Sequence, residues 1–198
     1  LNYLTTWQSN GAWAVPVVVY GNRSYGNALV ELYDILRYRG FHPIAAAAFV
    51  GQHSFTTRLA TGRPDREDLE KAEQFSAEIV RRILQPGEFT GIKIPGQGAP
   101  DYGGYYKAKG RDEEVVNFLK AKPVPTDACI DCRRCAKVCP MGAIRLDHPS
   151  EVSGICIKCN ACVKQCPVHA KQLTDEAYLS HVGFLENRYT SRARIELF

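Results

Sequence analysis

The sequence predicts an α/β chain. Its first part belongs to a doubly wound parallel sheet, and its second is a small unit built around cysteines. Three observations carry this. Within residues 1–90 a buried-type strand, a helix, a second buried-type strand and a second helix follow one another. All 8 cysteines fall between Cys129 and Cys166, and none precedes them. Those cysteines repeat one spacing twice.

The elements can be justified in order. Residues 1–10 read as the end of an earlier helix, with Gly11 as its cap. Val15–Tyr20, VPVVVY, is a continuous apolar run rich in β-branched residues and reads as a strand buried on both faces. A polar loop with two glycines, Gly21 to Asn27, leads into a helix from Asn27 to Arg39. Leu29, Leu32, Ile35 and Leu36 recur there at helical spacing, and Gly40 sits just past the end. Pro43–Val50, PIAAAAFV, reads as the next strand. Alanine is a weak strand former, but small side chains suit a strand packed beneath helices on both sides. The next helix begins at Pro64 or Asp65, with Asp65, Glu67 and Asp68 in its first turn and Arg81 and Arg82 in its last, as the helix dipole prefers. Pro86-Gly87 stops it. Residues 91–124 read as a linker with a short helix near Asp112 to Lys120.

Helix, strand, helix, strand, helix is the order of the last part of a doubly wound sheet. Two parallel strands alone leave an apolar face and a bare edge. The missing half-sheet is therefore expected from an N-terminal segment or from another chain. The sequence opens on Leu1 rather than Met, which reads as a fragment or a processed product.

Composition removes several classes. No run of about 18 or more apolar residues provides a membrane span, and no signal peptide opens the chain. The formal charge of +4 counts the thiols as neutral, and no Arg/Lys stripe is interleaved with aromatics, so nucleic acid is not an expected partner. Clustered cysteines also argue against a secreted disulfide scaffold, which spreads them through the fold.

Cys129, Cys132, Cys135 and Cys139 precede Pro140, and Cys156, Cys159, Cys162 and Cys166 precede Pro167. Both copies read C-x2-C-x2-C-x3-C-P, offset by 27 residues, and Ile130/Ile157, Ala136/Val163 and Lys137/Lys164 repeat with them. Three cysteines on a tight loop can hold three corners of a cubane, while the fourth points away to the other cluster. Cys129, Cys132, Cys135 and Cys166 are thus expected on one [4Fe–4S] cluster, and Cys156, Cys159, Cys162 and Cys139 on a second. Zinc is the competing reading, but zinc needs neither the third x2 step nor the Cys-Pro. Disulfides are another, but C-x2-C pairs make poor structural bridges. Two such clusters, each near −2 with its thiolates, would bring the net charge close to zero.

Residues 125–170 resemble a bacterial two-cluster ferredoxin domain, which implies a small pseudo-twofold α+β fold and electron transfer between clusters. On that likeness Ile130, Val138, Ile144, Ile155, Ile157 and Val168 would pack around the cubanes. Arg133, Arg134, Lys137, Lys158 and Lys164 would form a solvated face, available to an acidic partner. His148 and His169 read as surface or turn residues, because the cysteines already fill both cages.

Three further stretches, VVVYGNRSYGNALVELYDILRYRGF, AFVGQHSF and ATGRPDREDLEKAEQF, together with the terminal RARIELF, resemble the flavodoxin–ferredoxin fusion proteins of anaerobes. The likeness implies the C-terminal half of a flavodoxin-like domain over 1–90, a linker over 91–124, the two-cluster domain over 125–170 and a tail over 171–198. It also implies FMN. Gly21, Asn22, Arg23 and Ser24 would hold the isoalloxazine edge and Tyr25 would stack on it, with Ser54 and Phe55 along the same rim. The same residues also read as a plain strand-to-helix turn. The family's phosphate-binding loop has no counterpart in this sequence.

The function expected is electron transfer between redox partner proteins in a reducing cytoplasm, the flavin trading electrons in pairs or singly and the clusters singly. One alternative is a flavin enzyme acting on a small substrate, for which His53 is the nearby acid–base candidate and no other catalytic residue stands out. Another is a flavin-free subunit that wires a larger redox complex.

Overall fold

The computed structural model describes residues 3–85, 91–97 and 103–198. Its elements are β1 Trp13–Ala14, β2 Val17–Tyr20, α1 Ala28–Tyr38, β3 His42–Pro43, β4 Ala47–Val50 and α2 Arg66–Leu84. There follow β5 Val124–Pro125, α3 Arg134–Lys137, α4 Ala161–Lys164, β6 Lys171–Gln172, α5 Glu176–Arg188 and β7 Glu196–Leu197. The described residues form two compact units. The first lies within Leu1–His53, Leu59–Tyr106 and Ser191–Phe198, and the second within Ser54–Arg58 and Lys107–Thr190.

In the first unit β2 pairs in parallel with β4, and β1 with β3, so α1 is a crossover helix. The alanines explain how helices lie on both faces. Ala45, Ala46, Ala47 and Ala48 are all 0% exposed. Ala46 and Ala48 pack with Leu29, Val30 and Tyr33 of α1, while Ala45 and Ala47 pack with Phe75 and Ile79 of α2. Successive strand side chains face opposite ways, and a methyl group lets each helix approach.

Several sequence expectations are corrected here. The strand expected over Val15–Tyr20 is divided at Val15 and Pro16, where proline has no N–H to give to a ladder. It is also covered on one face only. Val18 and Tyr20 pack against the α1 core, but Val17 is 42% and Val19 70% exposed. β2 is the outer strand of a sheet ordered β2-β4-β7, and the α2 core takes in Val15 and Phe49 instead. The strand over Pro43–Val50 is likewise split into β3 and β4. Residues 1–10 contribute a single 3₁₀ turn, Leu4–Thr6, among the described residues. The Pro86-Gly87 stop lies outside the described residues; α2 ends at Leu84.

The C-terminal residues close this unit. β7 runs antiparallel to β4, with Leu197 opposite Ala47, and Phe198 exchanges both backbone hydrogen bonds with Ala46. At the start of α2, Asp65 caps the helix by accepting from the Asp68 N–H, and Asp68 accepts in turn from the Asp65 N–H. Asp68 is buried against Arg63, whose Nε donates to Oδ2 at 2.8 Å and whose Nη2 donates to Oδ1. Arg63 Nη1 also donates to the Ala193 carbonyl at 2.6 Å, and Arg192 bonds Asp65 at 2.6 and 3.1 Å.

The second unit is built on crossed pairing. β6, after the second cysteine motif, pairs antiparallel with β5, before the first. Ile144, after the first motif, bridges to Val152, before the second. The two pairings are related by the same 27-residue offset (Pro125 to Val152, Ile144 to Lys171). Residues 171–198, expected as a tail, supply β6, α5 and β7. α5 is capped by Asp175, which accepts from the Tyr178 N–H at 2.8 Å, and it buries Tyr178, His181, Phe184 and Leu185. No helix forms over Asp112–Lys120. Val116 N–H donates to Ala108 O and Gly110 N–H to Glu114 O, so the β-branched pair Val115-Val116 takes part in a hairpin-like turn.

Candidate metal centres

The two cysteine loops share one backbone. Asp131 and Lys158, Arg133 and Asn160, and Gly142 and His169 are pairs 27 residues apart, and all six have positive φ between 50° and 61°. Side chains rarely adopt this region. Its recurrence at every equivalent position shows that the loop geometry requires these turns. Each loop leads into a one-turn helix, α3 or α4. After each fourth cysteine a backbone amide returns to its sulfur: Ala143 N–H to Cys139 Sγ at 3.3 Å and Ala170 N–H to Cys166 Sγ at 3.2 Å.

Cys129, Cys132, Cys135 and Cys166 line one concavity with Ile130, Pro149 and Val168. Cys156, Cys159, Cys162 and Cys139 line another with Ile144, Val152 and Ile157. The crossed strand pairing produces this exchange, because each fourth cysteine leads into a strand bonded beside the other motif. Cys135, Cys139 and Cys162, drawn from both sets, pack in one apolar cluster with Ala136 and Ile144.

Gly154 shows how tight this unit is. A Cβ there would lie 2.8 Å from Ala143 Cα, beside the bond from Gly154 N–H to Ala143 O. Gly154→Val is expected to cost about 1–3 kcal/mol through overpacking. A thermal melt should show the lower Tm, and metal uptake at the second concavity should fall.

Electrostatics differ among the thiols. Burial pushes Cys162 up to about 11, against the pull of the Lys171 ammonium, and burial likewise raises Cys135. At Cys166 burial acts in the same sense, but the N–H groups of Val168, Lys171, Ala170 and His169 outweigh it and lower the thiol. Binding a metal would therefore release protons from the buried thiols.

The expected solvated basic face needs one correction. Arg133, Arg134, Lys137 and Lys164 are exposed, but Lys158 is buried, with Nζ donating to the carbonyls of Leu119 and, at 3.1 Å, Cys156. Lys171 is buried too, and its Nζ donates to Pro149 O at 3.1 Å and Ser150 O at 3.0 Å. Asn160 is 4% exposed, bonded to Tyr178 Oη and Ser54 O, with Oδ1 unpartnered among the described residues. None of these three was singled out from sequence as a buried group. The duplication carried a signal for Lys171 alone, which aligns with the buried Ile144; Lys158 and Asn160 align with the exposed Asp131 and Arg133.

The loop from Gly21 to Tyr25 is committed within its own unit. Asn22 is buried at φ 72°, donates from Nδ2 to Ser191 O at 2.8 Å and accepts at Oδ1 from Ala193 N–H at 3.1 Å. Tyr25 packs against the α1 core and donates to Glu196 Oε2 at 2.9 Å; burial and that carboxylate push its phenol up to about 12. Arg23 lies over the Tyr106 ring at 3.6 Å, and Ser24 Oγ accepts from Gly26 N–H. Gly21 is needed because a Cβ would meet His53 at 2.6 Å. Ser54 and Phe55 belong to the second unit, where Phe55 packs on Tyr178 and Phe118. As folded, Asn22 and Tyr25 are bonded to residues 191–196 of the same unit.

Residues 128–170 match the 4Fe-4S dicluster domain family. No curated protein matches the chain. The matched stretch is ferredoxin-like, and iron–sulfur electron transfer is the chemistry it indicates. The donor sets fit. Soft thiolates suit iron–sulfur clusters or zinc, and a zinc site needs its ligands about 2.3 Å from one point. Among the described residues no group of three or more His, Cys, Asp or Glu is placed to hold a single ion. No helix among them is long and apolar enough to cross a membrane.

Proposed function

We propose that this chain is a one-electron carrier with two [4Fe–4S] clusters. One is held by Cys129, Cys132, Cys135 and Cys166, the other by Cys156, Cys159, Cys162 and Cys139. The observation that carries this reading is that each set of four lines its own concavity, three thiols from one motif and the fourth from the other. When bound, such a cluster accepts and returns single electrons.

The chain's own residues supply the rest. The cysteines bind as thiolates. The amides of Ala143 and Ala170 donate to Cys139 and Cys166 and stabilise negative charge on sulfur. Ile130 and Val168 on one side, and Ile144, Val152 and Ile157 on the other, give the concavities apolar walls. Packing of Cys135 with Cys139 and Cys162 brings ligands of both sets into one apolar cluster, which favours electron exchange between them. Arg133, Arg134, Lys137 and Lys164 offer positive charge to an acidic redox partner.

Anaerobic reconstitution with iron and sulfide, followed by reductive titration, tests the proposal. Uptake of about two electrons per chain in single-electron steps is expected. A chain that binds zinc instead, or takes up electrons only in pairs, would refute it. Electron exchange with an acidic carrier should slow as salt is raised, because screening weakens charge steering.

The finer reading, exchange with FMN in a flavodoxin-like half, is supported by the parallel β2–α1–β4 unit and by the loop's position between β2 and α1. It requires the contacts of that loop with Ser191, Ala193 and Glu196 to open. The uncovered Val17 and Val19 on the outer strand fit a further strand from an N-terminal segment or another chain.

A further inference from the structure

Lys171 is the least expected residue in the cysteine unit. It is 4% exposed and forms no ion pair with a carboxylate among the described residues; its Nζ donates only to the carbonyls of Pro149 and Ser150. Burying an ammonium without a counter-charge is strongly unfavourable. The fold does not need a lysine there. The equivalent position of the first copy is Ile144, which is buried in the apolar cluster.

The groups around Lys171 are the cysteines. It lines the concavity of Cys129, Cys132, Cys135 and Cys166. Cys135 Sγ donates to the Pro149 carbonyl at 3.7 Å, the same oxygen that accepts from Lys171 Nζ. Once Cys135 is a thiolate, that S–H bond is gone and the ammonium stays at the shared carbonyl. Lys158 differs, because it sits in the second loop and bonds the Cys156 carbonyl of that loop.

We propose that Lys171 is a fixed counter-ion of the centre held by Cys129, Cys132, Cys135 and Cys166, and that it raises the reduction potential of that centre. The proposal rests on the cluster reading above. Reduction adds one negative charge to a cluster, and a nearby buried cation favours the more negative state. Lys171 is a positioning residue in this sense: it ligates nothing and acts through charge.

The test uses the whole chain, reconstituted anaerobically, with Lys171→Met and Lys171→Arg beside the parent. Iron and sulfide are assayed, and each potential is read by redox titration followed by electron paramagnetic resonance. In Lys171→Met the clusters are expected to remain, while the equilibrium constant for reduction of that centre falls by about tenfold or more, ~59 mV for one electron. Lys171→Arg keeps the charge and is expected to stay near the parent. Clusters lost in Lys171→Met but retained at parental potentials in Lys171→Arg also support the assignment. Intact clusters with unchanged potentials in Lys171→Met overturn it, as does loss of the clusters in both variants, which would make Lys171 a packing residue. Failure of the cluster reading itself is distinguishable, because the parent chain would then take up no iron and sulfide.

Discussion

Cys166→Ala is expected to disable the centre built on the first motif and to spare the centre built on its own. The basis is the crossed strand pairing, in which β6 lies beside β5 and so carries Cys166 to Cys129, Cys132 and Cys135. Cys139→Ala should do the converse, through the Ile144–Val152 bridge. Each single variant should lose about half the iron, roughly four of eight atoms. Pairs of substitutions separate the crossed arrangement from a self-contained one. Cys129→Ala with Cys166→Ala removes two ligands of one centre, so it should lose little more iron than either alone. Cys129→Ala with Cys139→Ala removes one ligand from each and should lose nearly all. If each motif held its own cluster, the outcomes of the two pairs would be interchanged. Iron analysis and the paramagnetic resonance spectrum of each reduced variant read this directly.

Arg63→Met is expected to be the most damaging substitution in the first unit. Asp68 is 3% exposed; Arg63 supplies two charge-assisted bonds to it, and the half-exposed Arg192 supplies a longer one at 3.3 Å. Removing one partner of a buried pair costs about 3–5 kcal/mol, and Arg192, at 3.3 Å from Oδ1 and half-exposed, offsets only part of it. The loss extends further, because Arg63 Nη1 also holds the Ala193 carbonyl of the segment that leads to β7. The pH dependence has a definite sign. The bond from Arg63, working against burial, holds the Asp68 carboxyl below its ordinary range. Stability from this group is therefore complete above the unfolded value, about 3.9, and is lost as pH falls through the lower folded value. The parent should lose stability on acidification through this range, and Arg63→Met should lose less there. Tryptophan fluorescence during urea melts is the suitable signal, since Trp7 and Trp13 both belong to this unit and are the 2 tryptophans of the chain. An Arg63→Met midpoint equal to the parent's would show that the pair contributes nothing net.

What could be read from sequence followed the range of the forces involved. α1 and α2 were legible because periodicity and the Asp65 cap are local, and the observed spans, Ala28–Tyr38 and Arg66–Leu84, lie close to those expected. The buried alanines were legible as a packing requirement. The cysteine spacing was legible because short loops restrict which thiols can converge. Other features depend on partners distant in the chain. Nothing in Glu196-Leu197 marks a strand; β4 makes it one, about 150 residues earlier in sequence. The exposure of Val19 depends on where α2 ends its cover, and a β-branched run does not reveal that. Ser54–Arg58 joins the second unit through Asn160, Tyr178 and Glu186, all more than 100 residues away. Lys158 reads as solvated because lysine usually is, and only the carbonyls it meets explain its burial.

Iron and acid-labile sulfide per chain, measured on the anaerobically reconstituted protein and on Cys129→Ala/Cys139→Ala, tests the central claim most directly. Two clusters on crossed ligand sets predict about eight iron and eight sulfide in the parent and nearly none in the double variant. A parent that holds zinc without sulfide, or a double variant that keeps half of the iron, would contradict it.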